Sequence, residues 1–106
     1  MSFSVKSDIL ENAVILTIAG DLDSSTAPQF QEEIQKIILY KPKELVMDVE
    51  KLDFMASAGL RVIIFAKQKL GPAVKLIFVK PQEQLLETLK MTGLLYSLTI
   101  VDQYPE

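Results

Sequence analysis

Neither cysteine nor histidine occurs among the 106 residues of this chain. The missing cysteine excludes disulfides, thiolate metal sites and thiol nucleophiles, and is compatible with a reducing compartment. The missing histidine is more restrictive, because it removes the commonest general base and metal ligand. A Ser-His-Asp triad, a zinc hydrolase centre and most acid-base schemes at neutral pH are out of reach. Basic charge is also scarce: 11 lysines and arginines against 14 acids leave a net charge of -3. That is the wrong sign for a phosphate-backbone binder, so nucleic acid is not an expected partner. The 4 glycines form neither a G-x-x-x-x-G-K phosphate loop nor a dinucleotide fingerprint, and no cofactor is expected. The longest apolar run, Val62 to Ala66, is far shorter than the roughly 20 residues that cross a bilayer. The N-terminus, Met1 to Asp8, lacks the apolar core of a secretory signal. No membrane partner and a cytoplasmic location are therefore expected.

What is present suits a folding chain. With 49% hydrophobic and 24% charged residues, enough apolar surface is available to offset chain ordering. The length predicts one domain over residues 1–106, with a radius of gyration of about 13 Å. Phe3 and Val5 alternate with Ser2, Ser4 and Lys6, the pattern of a half-buried edge strand. After the polar stretch Asp8 to Asn12, the run Val14 to Ala19 is branched and apolar, as in a strand covered on both faces, and Gly20 is expected to end it. Asp21, Leu22, Asp23, Ser24, Ser25 and Thr26 offer helix-capping chemistry, and Pro28 is tolerated in a first turn. Ala27, Phe30, Ile34, Ile37 and Ile38 then follow at helical spacing. Leu45 to Val49 read as a strand, Leu52 to Phe54 as a loop, and a second helix is expected to start near Ser57 and stop at Gly71 and Pro72. Val74 to Val79 read as a strand, and Leu85, Leu86 and Leu89 as a third helix between Pro81 and a Gly93 cap; a last strand is expected near Leu98 to Val101. This alternation predicts an α/β fold: a mixed, mostly parallel four- to five-stranded sheet with an N-terminal antiparallel hairpin and three to four helices.

Two segments follow strand ends at the edge where open α/β sheets bind ligands and partners, the turn Gly20 to Thr26 and the stretch Phe54 to Leu60, and they are expected to be neighbours. Ser57 has two readings there. It is a helix cap, or a phosphorylation site whose added charge meets unpaired backbone N–H groups at a helix start. A nucleophilic role is the weakest, since no histidine exists to activate the hydroxyl. On a helical projection Gly59, Val62, Ile63, Ala66 and Leu70 face the core, whereas Leu60 and Ile64 fall outside that stripe beside Arg61. Either a neighbouring element covers them, or they form a partner surface with Arg61 as charged anchor. Asp21 and Asp23 read as turn chemistry or as a paired carboxylate site; Asp48 and Asp53 are weak candidates for a magnesium-assisted reaction. Met47, Met55, Met91 and the initiator are read as fillers of core gaps or loops.

Gly20-Asp21-Leu22-Asp23 resembles the Gly-Glu-Leu-Asp turn of the STAS family, and Phe54 to Leu60 resembles its Phe-Met-Asp-Ser-Ser-Gly-Leu motif. The resemblance covers nearly the whole chain, including the Gly93-Leu94 turn, and is closest to the stand-alone anti-sigma factor antagonists. It implies a non-enzymatic, partner-switching regulator. Unmodified, such a protein binds an anti-sigma factor that is also a serine kinase of the GHKL type. Phosphorylated on the residue matching Ser57 it is released, and a PPM-type serine phosphatase restores binding. The implied partner surface takes in Asp21, Asp23, Ser24, Ala56, Ser57, Ala58, Gly59, Leu60, Arg61 and Ile64. Ala56 stands where the motif has aspartate and Ala58 where it has a second serine or threonine. These departures keep a second reading open, a phosphorylation-independent interaction subunit of a larger assembly such as a lipid-transport ATPase complex.

Overall fold

Alternating burial along the strands divides the sheet into a helix-covered face and a more open one. The computed structural model describes residues 3–105; Ser2, expected in the first strand, and Met1, read as filling a core gap or loop, lie outside them. The strands are β1 (Ser4–Ile9), β2 (Ala13–Leu22), β3 (Glu44–Met55), β4 (Lys75–Val79) and β5 (Thr99–Val101). The helices are α1 (Ala27–Ile38), α2 (Ser57–Leu70) and α3 (Glu83–Met91), followed by a 3-10 turn at Leu94–Ser97. Strand order follows the chain, β1-β2-β3-β4-β5. β1 runs antiparallel to β2, and each later pair is parallel. The α/β architecture read from the sequence is the one observed, and the radius of gyration is 12.4 Å.

The main core joins Val14, Leu16 and Ile18 of β2 and Leu45, Met47 and Val49 of β3 to Phe30 and Ile34 of α1, Ile63 and Ala66 of α2, and Leu85 and Leu89 of α3. A completely buried leucine or phenylalanine contributes about 1.5–3 kcal/mol, so this layer fixes the helices to the sheet. The opposite face carries a smaller cluster, Val46, Ile77 and Val79, flanked by Ile15, Val101 and Tyr104. The expectation that β2 is covered on both faces is therefore only half met: Ile15 and Ala19 are partly buried and Thr17 is exposed.

Three boundaries differ from the sequence reading. β1 extends through Asp8 to Ile9 because its hairpin with β2 pairs Asp8 with Ile15 and Ile9 with Val14. Gly20 does not end β2. It sits inside the strand at φ 90 beside a register shift between Gly20 and Asp21, the behaviour of a bulge that only glycine enters without strain. Leu52 to Phe54 are strand rather than loop, since β3 continues to Met55 and pairs Leu52 with Gly20, Phe54 with Asp21 and Met55 with Leu22. Met47 and Met55 fill the core as expected, but Met91 is 87% exposed at the end of α3 and fills no gap.

The open face is closed at one corner by the C-terminal segment. The Tyr104 hydroxyl donates a hydrogen bond to Glu44 Oε1 on β3. That bond, with a smaller desolvation effect, holds the phenol above its ordinary pKa of 10.0. Because the folded value is raised, the stabilisation is complete below pH 10.0 and is lost as pH rises through the higher folded value. An alkaline absorbance titration is expected to show a late tyrosine step that disappears in Tyr104→Phe; an unchanged titration in that variant would contradict the assignment.

Candidate functional site

The β2–α1 turn is built around one carboxylate. Asp23 Oδ1 accepts hydrogen bonds from the Ser25 N–H at 2.9 Å, the Ser25 hydroxyl at 2.7 Å and the Thr26 N–H at 3.1 Å. The Asp23 N–H in turn donates to Thr26 Oγ1 at 2.9 Å. This is a reciprocal capping box, with Asp23 as the cap of a helical turn that leads into α1. The Thr26 hydroxyl donates onward to the Asp21 carbonyl at 2.9 Å, tying the turn to the end of β2. Of the two readings of Asp23, turn chemistry is what the geometry displays. Ser24 is exposed beside it, and Asp21 is half-buried. The Ser25 side-chain and backbone bonds, joined by those from Thr26, hold the Asp23 carboxyl below its ordinary value of 3.8.

This turn and the start of α2 meet through β2 and β3. The Ala56 N–H donates to the Leu22 carbonyl at 2.8 Å, and the Ala56 carbonyl accepts from the N–H groups of Gly59 and Leu60. The expected neighbourhood of the two segments is thus present. Ala56, with extended backbone, is the N-cap, so Ser57 is the first helical residue and not the cap. The capping reading of Ser57 is corrected accordingly: the cap position belongs to Ala56, and Ser57 is an exposed helical residue. Among the described residues the N–H groups of Ser57 and Ala58 have no partner outside the helix. One turn on, Gly59 is buried against Leu22, where a β carbon would lie 2.7 Å from Leu22 Cγ and Cδ2 and 3.0 Å from Met55 Cγ.

The apolar residues that fall outside the core stripe of α2 divide. Leu60 is only 8% exposed and belongs to the core, so of its two readings the covered one holds, whereas Ile64 is 43% exposed. The 3-10 turn faces α2 here. A shallow groove of about 410 Å³ runs between the two, lined by Ser57, Leu60, Arg61 and Ile64 on one side and by Leu94 and Ser97 on the other. Leu94 and Ser97 were not among the residues expected at the site. Gly93, left-handed at φ 78 after the Thr92 cap, reverses the chain towards α2, and the Gly93-Leu94 pair was the available signal. Asp48 is half-buried and accepts from the Glu50 N–H, and Asp53 is exposed on β3. Among the described residues no three acidic side chains are grouped to hold a metal ion, and no helix is long and apolar enough to cross a membrane.

Comparison with known proteins gives a consistent result. The profile of the STAS domain matches residues 4–106. The anti-sigma-F factor antagonist RsfB of Mycobacterium tuberculosis is 33% identical over 61 residues, which take in 58% of this chain and 50% of that protein. The chain thus matches about half the length of that relative. An anti-sigma factor antagonist from Mycobacterium paratuberculosis superposes with a TM-score of 0.87 at 21% identity, covering 97% of this chain and 88% of the other. The Bacillus cell fate determinant SpoIIAA, in its phosphorylated form, gives 0.71 at 20% identity, covering 93% and 90%. At these identities the structural matches establish a shared fold.

Two substitutions probe how the site is held. Asp23→Ala is expected to lower the thermal midpoint at neutral pH, and Asp23→Asn, which keeps an acceptor, to lower it less. Because the folded pKa is depressed, the deficit is present above pH 3.8 and closes as pH falls through the lower folded value; a deficit constant with pH would argue against the cap. Gly59→Val is expected to cost about 2 kcal/mol by overpacking Leu22, measured by urea denaturation, and an unchanged midpoint would show that α2 can lift away without penalty.

Proposed function

The chain belongs to the STAS domain family, and from that premise we propose that it is an anti-sigma factor antagonist working by partner switching on Ser57. The observation that carries this reading is the exposed, uncapped hydroxyl at the first position of α2, on the rim of a groove with an apolar floor. Unmodified, the surface formed by Asp21, Asp23, Ser24, Ala56, Ser57, Ala58, Arg61 and Ile64 binds an anti-sigma factor that is also a GHKL-type serine kinase, with Gly59 buried behind it against Leu22. Leu60 contributes from beneath as the groove floor.

In the kinase site the Ser57 oxygen attacks the γ-phosphorus of ATP. A new O–P bond forms, the bond to the bridging oxygen breaks, ADP leaves, and the hydroxyl proton passes to a base on the kinase. The product carries a charge of about -1.5 to -2. Such a group inside a largely apolar contact must be stripped of water at substantial cost, so the complex separates. A PPM-type phosphatase reverses the modification by attack of water on phosphorus, releasing inorganic phosphate and returning a proton to the serine oxygen. The protein is the substrate in both steps and catalyses neither. RsfB is named as an antagonist of an anti-sigma factor and SpoIIAA is described in a phosphorylated form; both names support this assignment.

Calorimetry with the cognate anti-sigma kinase tests it. Ser57→Ala is expected to bind like the unmodified chain, and Ser57→Asp to bind at least about tenfold more weakly, a loss of about 1.4 kcal/mol. Equal affinities, together with protein from cells free of phosphate at Ser57 by peptide mapping, would overturn the assignment. Those results would favour the phosphorylation-independent interaction subunit, for which Ala56 and Ala58 in place of polar motif residues are the supporting observation.

A further inference from the structure

The groove beside Ser57 has a single charged side chain along its walls, Arg61. Arg61 lies four residues after Ser57 in the same helix. At that spacing two side chains share a face, with β carbons about 5–6 Å apart. Both residues are exposed, and Arg61 enters none of the ion pairs found among the described residues. Little competes for it nearby. Ala56 and Ala58, which flank the serine, carry no charge. Across the groove the wall is uncharged, and the Thr92 hydroxyl is already engaged with the carbonyls of Thr88 and Leu89.

From this juxtaposition we infer that Arg61 is the counter-ion of the phosphate on Ser57, folding the modified side chain back along α2 and over the groove. The inference rests on the reading of Ser57 as the modified residue and adds how modification acts. The order along the helix is the favourable one, with the anion towards the N-terminus and the cation one turn later. A guanidinium offers paired N–H donors that match phosphate oxygens. In the unmodified chain Arg61 is free to meet a carboxylate of the partner. In the modified chain the phosphate occupies it and lies across Leu60, Ile64 and Leu94. Release then has two components, an added charge on the contact surface and the withdrawal of its cationic anchor.

The test needs no kinase. Phosphoserine is incorporated at position 57 during translation of the full chain, and thermal unfolding is compared with and without it in the Arg61 and Arg61→Gln backgrounds. The phosphate is expected to raise the midpoint with arginine present. The increment is expected to shrink by about 2–4 °C with glutamine, and Arg61→Lys is expected to recover part of it. In nitrogen-15 spectra the Arg61 Nε–H resonance is expected to move on phosphorylation and to move back as salt is raised. Equal phosphate increments in both backgrounds with an unmoved Nε–H resonance would overturn the inference, and leave the proposed partner switching intact if the kinase still modifies Ser57. Coupling in the synthetic phosphoprotein combined with absence of the modification in cells would instead retain the pairing and remove the proposed function.

Discussion

The spacing between the end of β2 and the first turn of α2 governs where every candidate site residue can be. Leu22, completely buried, gives its carbonyl to the Ala56 N–H and its side chain to the space left by Gly59. No side chain larger than a hydrogen fits at 59 without moving Leu22 or Met55. This approach joins the Asp23 turn and Ser57 along one edge, although 34 positions separate them in sequence. It also sets the direction of α2, which fixes which of its residues meet the 3-10 turn. The interaction is local, yet the groove and the serine rim both depend on it.

The regular parts of this fold were legible because their periods are undisturbed. Phe30, Ile34 and Ile37 repeat at helical spacing and are all buried on α1. Gly71 and Gly93 mark helix ends and both adopt positive φ. The far end of β3 was not legible, for a physical reason. Beyond Asp48 it has lost β4 as a neighbour and pairs only with β2. Over that stretch burial falls at Val49, Leu52 and Met55, a spacing of three that is neither the strand nor the helix period. Register shifts on β2 accompany it, and two-stranded, bulged ribbons twist more strongly than wider sheets. A period-two test applied to residues 49–55 reads this coiled ribbon as a loop.

The site was legible in its residue types and less so in their roles. A serine at a helix start is either the cap or the first helical residue, and the two differ by one position, the usual uncertainty of a helix boundary. The chemical consequence is large. A capping hydroxyl is engaged with the backbone, whereas here the cap position belongs to Ala56 and Ser57 is an exposed helical residue. Leu60 and Ile64 look alike on a helical projection, but Leu60 is buried and Ile64 exposed, and both line the groove that faces the 3-10 turn. That turn comes from a segment more than 30 residues later, and no pattern within α2 announces it.

Modification at Ser57 would change the charge of the whole chain from -3 to about -5, but the overall charge is a poor agent of release. At physiological ionic strength exposed charges more than about 8 Å apart are largely screened, so acids on the far side of the sheet contribute little. What would act under the proposed modification is the charge close to the serine. Along α2 itself Ala56 and Ala58 add no charge and Arg61 adds one positive charge, while Asp21 and Asp23 stand on the adjoining turn. An aspartate at position 56, as in the family motif, would place a like charge beside the phosphate and repel it; alanine removes that repulsion. The departures from the motif therefore bear on the proposed modified state: along the opening turn of α2 they leave Arg61 as the one charge opposed to the phosphate.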